Sequence, residues 1–442
     1  MHKNYKTYYL AIAIIILISS LGIFYVLIST ISNSANLKNS SNEVIITYAD
    51  NISPAHQNLI DKFNKLNKGK IKIEPINLPF SKFSTNERKE LLTRSLRSKS
   101  KKLDIFAVDL IWSARFAKWS EPLDKYIMIQ DTAKLLKQAL ESCRIKNHLV
   151  ALPIYIDVGI MYYRKDLLKK LPNFLEIEEK LNNGISWNDF ISLRKFFNLD
   201  KNQFYIFPAD NYEGLVCSYM EILYNYSSHV TVSERFNIKS DENKNSFKLL
   251  YDFFYKYNLS PLAITEFNEN DSYEYFIKNN AIFLRGWPSS ESDFKSLANW
   301  ENVDSIIGKV PIPHLEGKNS LSVLGGWNIM ISKYSEHKNE AFQFIKFILE
   351  ENSQKEMYEI GSYLPVLSSL YSDAEFLKKY PGLEKDKKLL EDGVHRPFLE
   401  DYTKLSDVIS YYVNKVIKKE FTIEEALEKA DETIKTGRII IR

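Results

Sequence analysis

Asp109 and Asp157 each stand just beyond an apolar, strand-like run, at residues 105–108 and 151–156. A carboxylate at the carboxyl end of a strand faces the crevice in which open α/β sheets hold ligands, and it can accept from two neighbouring hydroxyls. Trp287 follows Gly286, and Trp327 follows Gly325 and Gly326, the chain's sole adjacent glycine pair. Rings beside residues without a Cβ can lie close to a second backbone or to the C–H face of a ligand. Arg396 offers a planar fork of donors, and Trp112 and Tyr155 place further rings near the two aspartates. Carboxylates, a guanidinium and flat apolar faces together suit a polyhydroxylated small molecule. The same two carboxylates could instead act as an acid/base pair on a glycan, which requires a separation of about 5–10 Å. Trp119, Trp187 and Trp300 lack such surroundings and read as core.

Other chemistries find little support. The 442 residues carry 59 Lys plus Arg against 56 Asp plus Glu, a balance that argues against a nucleic-acid partner. The chain contains no GxGxxG, GxxxxGK[ST] or GxSxG, so no nucleotide cofactor or serine-hydrolase elbow is expected. Its seven histidines never fall three or four residues apart, and no metal site is predicted. Cys143 and Cys217 form no CxxC, and their contexts favour free thiols.

The elements that must position these groups are legible in outline. The β-branched run at 44–48 reads as a strand, Ser53-Pro54 as a helix start, and Ile71-Lys72-Ile73 as the next strand. Strands alternating with helices predict an α/β protein with largely parallel sheets. Residues 10–31 contain no charge and are long enough to cross a bilayer as a helix. Lys3 and Lys6 precede this run, which predicts a cytoplasmic N-terminus (1–9), a transmembrane anchor or uncleaved signal (10–31), a polar linker (32–42) and a folded part outside the cytoplasmic membrane, anchored there unless the run is cleaved off at the small residues Ser32-Asn33-Ser34. Between Lys82 and Lys102 lie eight Lys and Arg against Glu87 and Glu90. Leucines at helical spacing within that stretch predict a surface helix with a solvated basic face.

Several segments resemble, in order, the family 1 extracellular solute-binding proteins of ABC transporters. They are Asp104-Ile-Phe-Ala-Val-Asp109-Leu-Ile-Trp112, Ala151-Leu-Pro-Ile-Tyr155-Ile-Asp157, Trp187-Asn-Asp-Phe190, Arg285-Gly-Trp287-Pro288, Gly325-Gly-Trp327 and Arg396-Pro397. The likeness runs over roughly residues 43–435 and is nearest to the maltose- and trehalose-binding branch. It implies a type II periplasmic binding fold of two interleaved α/β lobes with a hinge: 43–154 plus 314–364, and 155–313 plus 365–442. The lobes would be joined by crossings near 155–157, 310–313 and 363–365. It also implies a monomeric sugar carrier, not an enzyme, that serves an ABC-type permease and contacts its ligand through Asp109, Trp112, Tyr155, Asp157, Trp287, Gly325, Gly326, Trp327 and Arg396.

Overall fold

A computed structural model describes residues 43–437 except 81, 84, 198–202, 228–235 and 299–302. The expected anchor at 10–31 and its flanks lie outside the described residues. Among the described residues no helix is long and apolar enough to cross a membrane.

Among the described residues the strands are β1 (Val44–Asp50), β2 (Ile71–Asn77), β3 (Ile105–Asp109), β4 (Arg144–Ile145), β5 (His148–Leu149), β6 (Leu152–Val158), β7 (Ile160–Arg164), β8 (Tyr205–Ile206), β9 (Phe283–Gly286), β10 (Ile307–Val310) and β11 (Leu324–Ile331). They form a five-stranded sheet ordered β2-β1-β3-β11-β6, a four-stranded sheet ordered β10-β7-β9-β8, and the hairpin β4-β5. The β-branched run of 44–48 is β1, and Ser53 caps the helix Pro54–Leu66 by accepting from His56 N.

The expectation of largely parallel sheets is corrected. β1 pairs in parallel with β2 and β3, and β8 with β9, but β11 is antiparallel to both β3 and β6, and β7 to both β9 and β10. The cause is the route of the chain. After a strand–helix–strand unit the chain re-enters a sheet from the edge where it began, so β1, β2 and β3 run together. β6 instead passes into β7 through Gly159 alone, so β7 enters the second sheet from the edge where β6 leaves the first. β11 arrives from the second sheet by the same kind of crossing and runs against its neighbours. Consequently β1, β3, β6, β9 and β10 all end at the junction between the two sheets, where β7 and β11 begin.

Aromatic side chains fill both layers. Phe344 of the helix Lys338–Ile348 packs edge-on against Tyr48 of β1 and Phe63 of Pro54–Leu66, with ring centroids 5.6 and 5.1 Å apart. In the second layer Phe190 meets Phe204 and Phe283 at 5.1 and 4.9 Å. Trp119 and Trp187 are core residues, and Trp300 lies outside the described residues. Cys143 and Cys217 are free and buried, and burial pushes both thiols up to about 12.

Gly326 is fixed by its backbone. Its φ is +127°, and a Cβ there would stand 2.5 Å from the Tyr155 carbonyl oxygen and 2.9 Å from Ile156 Cα, neither of which is a flexible side-chain end. Gly326→Ala is therefore expected to destabilise the fold by about 2 kcal/mol or more, read as a lowered urea midpoint. An unchanged midpoint would contradict this register of β11 against β6.

Candidate functional site

Strand register brings the separated sequence motifs together. Trp327 of β11 lies opposite Asp109 of β3 on one side and Tyr155 of β6 on the other, and Gly325 lies opposite Asp157. Residues directly opposite in an antiparallel pair share a face. Asp109, Trp327 and Tyr155 thus form one row across three strands. A register shift between Trp327 and Asn328 marks a bulge at this point, a feature common where a side chain is re-aimed.

The Trp327 ring is 8% exposed and held from several sides. Trp112, in the turn after β3, meets it edge-on at 6.2 Å, and Phe80 does so at 5.6 Å. The guanidinium carbon of Arg88 lies 4.2 Å from the centroids of both Phe80 and Trp327. Arg88 belongs to the helix Thr85–Arg97, is 1% exposed, and donates from Nη2 to Asp50 Oδ1 at 3.1 Å. The Tyr48 hydroxyl donates to the other Asp50 oxygen at 2.5 Å. Arg88 Nε and Nη1 are buried and find no protein acceptor among the described residues. Burial pulls the guanidinium pKa down, partly offset by Asp50. Two unmet buried donors beside aromatic faces suit a ligand oxygen.

Arg396 closes the opposite side of the row. Its Nη2 donates to Asp109 Oδ1 at 3.2 Å and its Nη1 to Glu213 Oε1 at 2.6 Å. Glu213 opens the helix Glu213–Tyr226 and also accepts from Tyr402 and Ser406 of Tyr402–Ile417. Asp109 has one more bond, from Ile111 N at 3.1 Å. Burial raises its pKa, with Arg396 opposing.

Two further contacts join the sheets. Asp157 Oδ2 accepts from Ser289 Oγ at 2.6 Å, and Ser289 lies just beyond β9. Trp287 leaves β9 with its carbonyl held by the Tyr162 hydroxyl at 2.8 Å. Its ring lies so near β11 that a Cβ at Gly325 would come within 2.8 Å of it. Arg285, buried and paired with Glu221 at 2.8 Å, stacks 4.0 Å from the Trp287 ring centroid.

All the sequence-predicted site residues therefore converge at the junction of the two sheets. Trp112 is 2% exposed and supports Trp327, and Arg396 is held by two carboxylates. The sequence reading missed Asp50, Phe80, Arg88, Glu213 and Arg285. Asp50 ends β1 as Asp109 ends β3, a signal that could have found it. The solvated-face reading of the basic stretch is corrected at two positions, since Arg88 and Lys89 are buried. Lys89 Nζ instead reaches toward Asp407 Oδ2 at 3.9 Å across the junction.

Two mixed α/β layers whose strands end on a shared, ring-lined junction define the class of two-layered solute receptors. Comparison with known proteins agrees. The family model for bacterial extracellular solute-binding proteins matches residues 49–355, and the chain belongs to that family. A relative from Deinococcus radiodurans, described as a "Probable ABC transporter-binding protein", is 23% identical over 358 residues, covering 78% of this chain and 82% of its own length. The fold is similar to that of maltose-bound T. maritima MalE3, with a TM-score of 0.78 and 24% identity over 89% of this chain and 100% of that one. A Thermotoga lettingae solute-binding protein bound to α-D-tagatose gives 0.76 at 20% identity, covering 89% of this chain and 99% of its own. An Agrobacterium radiobacter protein in complex with ribitol gives 0.74 at 20% identity, with the same coverages.

Asp157 gives the junction a pH signature. Burial pushes its carboxyl up to about 7, although Ser289 and Val158 N donate to it. Between about pH 4 and 7 the folded chain keeps this proton while the unfolded chain has lost it. Stability therefore falls as pH rises through that window, by up to about 1.4 kcal/mol per pH unit from this group. Asp157→Asn should flatten the slope, measured as urea midpoints at several pH values, and an unaltered slope would contradict the burial of this carboxyl.

Proposed function

We propose that the chain binds an oligosaccharide between its two layers, with α-linked disaccharides such as maltose and trehalose as first candidates. It hands the sugar to an ABC-type permease while tethered by residues 10–31 to the outer face of the cytoplasmic membrane. The observation that carries this reading is the convergence of Trp287 and Trp327, from different sheets, on Asp109, Asp157 and the unmet donors of Arg88. The rings supply faces for sugar C–H groups, and the charged groups supply directional bonds to hydroxyls. The sugar and polyol complexes of similar folds, and the transporter link of the Deinococcus relative, support the same reading.

In this reading 43–154 with 314–364 and 155–313 with 365–442 make two lobes that close by a hinge. The crossing placed near 155–157 falls within β6, still paired with β11, and the chain reaches the second sheet at Gly159. Asp109 and Asp157 act as ligand acceptors. Asp109 is oriented by Arg396 and Asp157 by Ser289.

Calorimetric titration of the full chain with maltose, trehalose, tagatose and ribitol tests the proposal. One sugar should bind at one site per chain. Trp287→Ala or Trp327→Ala should weaken it by about a hundredfold, the loss expected for a buried aromatic anchor. Absence of heat with every sugar and polyol would overturn the ligand class.

A further inference from the structure

The fold divides the basic stretch of 82–102. Arg88 and Lys89 turn inward, whereas Lys99, Lys101 and Lys102 are exposed on the segment leading into β3. Thr47 Oγ1 donates to the Lys102 carbonyl at 2.6 Å, so this segment passes β1 near its middle on the way into β3. On the other side of β1, Lys65 lies in the last turn of the helix Pro54–Leu66, and Lys68 and Lys70 lie on the turn into β2, all exposed. Val44 N donates to the Lys70 carbonyl at 2.8 Å, and Gly69 N to Glu43 Oε1 at 2.8 Å. Six lysines thus flank the point where residue 43 leads back to residues 1–42. Among the nearby acids, Glu43 is engaged by Gly69 N and Glu336 by Lys101. Leu66 stands among these lysines with 73% of its surface exposed. This edge is where β1, β2 and β3 begin, opposite the edge that carries the binding site.

We infer that this edge docks on an anionic lipid surface, an inference that rests on the anchor reading above. Residues 32–42 span at most about 40 Å fully extended, and about 20 Å as a flexible coil. A charge-free segment seated in the bilayer therefore keeps the edge bearing residue 43 within reach of the headgroups. Lysine attraction to anionic lipid fades within a Debye length, about 8 Å at physiological salt, so this edge gains most from a negative surface. An exposed leucine among lysines adds an apolar contact at the interface. With this edge on the lipid, the binding site opens on the side away from the bilayer, and salt-sensitive docking leaves the carrier free to turn.

Lysine acetylation of the full-length chain on vesicles of phosphatidylcholine, alone or with phosphatidylglycerol, tests the inference, with exposed Lys180 and Lys429 as controls. The six lysines should react at least about threefold more slowly on the anionic vesicles, the controls equally on both, and the difference should vanish at about 0.5 M salt. A variant carrying K65Q, K68Q, K70Q, K99Q and K102Q should still float with both vesicles and lose the difference. Equal acetylation on both vesicles overturns the docking face. Protection by soluble polyglutamate but not by vesicles also overturns it, in favour of an acidic protein partner. Flotation only with anionic vesicles refutes the anchor and supports the face, and flotation with neither refutes both.

Discussion

Arg396 is the charge on which the two layers meet. Its guanidinium is 2% exposed and bonded to Asp109 at the end of β3 in the first sheet and to Glu213 in the helix layer of the second. Removing one partner of such a buried pair costs about 3–5 kcal/mol, because the remaining charge is left in a poorly solvating site. The pairs Asp50–Arg88 and Glu221–Arg285 repeat the arrangement beneath the two site tryptophans. Each ring therefore has a guanidinium against it, and each guanidinium is oriented by a carboxylate from another element. The aromatic surfaces are held in place before any ligand arrives, which lowers the ordering cost of binding.

The same junction explains the mixed sheets. A chain that crosses between layers must enter the next sheet from the site side, so β7 and β11 begin at the site while β1, β3, β6, β9 and β10 end there. Binding groups can then come from both starts and ends of strands. Gly325 sits at such a start, and its missing side chain is the space into which Trp287 reaches from the other layer.

Much of this was legible in the sequence. A β-branched run marked β1 and apolar runs marked β3 and β6, and aspartates at strand ends and tryptophans beside glycines marked most of the site. The directions of β7 and β11 were not legible, because they depend on which layer the chain has just left. Arg88 and Lys89 carried a sign that the solvated-face reading passed over, since they share the helix face of Leu92 and Leu96; what the sequence did not show is that Asp50 and the Trp327 ring meet that face. The partners of Arg396 were hidden by distance, since Glu213 is 183 residues away and Asp109 is 287. Pairings of that kind are created by the fold and have no local pattern.

The central claim is that a solute is gripped between two layers that close on it. The helices Thr85–Arg97 and Tyr402–Ile417 face one another across the junction, where Lys89 approaches Asp407 and Arg115 Nη1 donates to Thr403 at 2.8 Å. The most direct test is the distance distribution between labels at the exposed positions Arg94 and Lys404, with and without saturating sugar. The account predicts that sugar removes the longer distances and leaves one short population. A distribution unchanged while sugar is bound would contradict it.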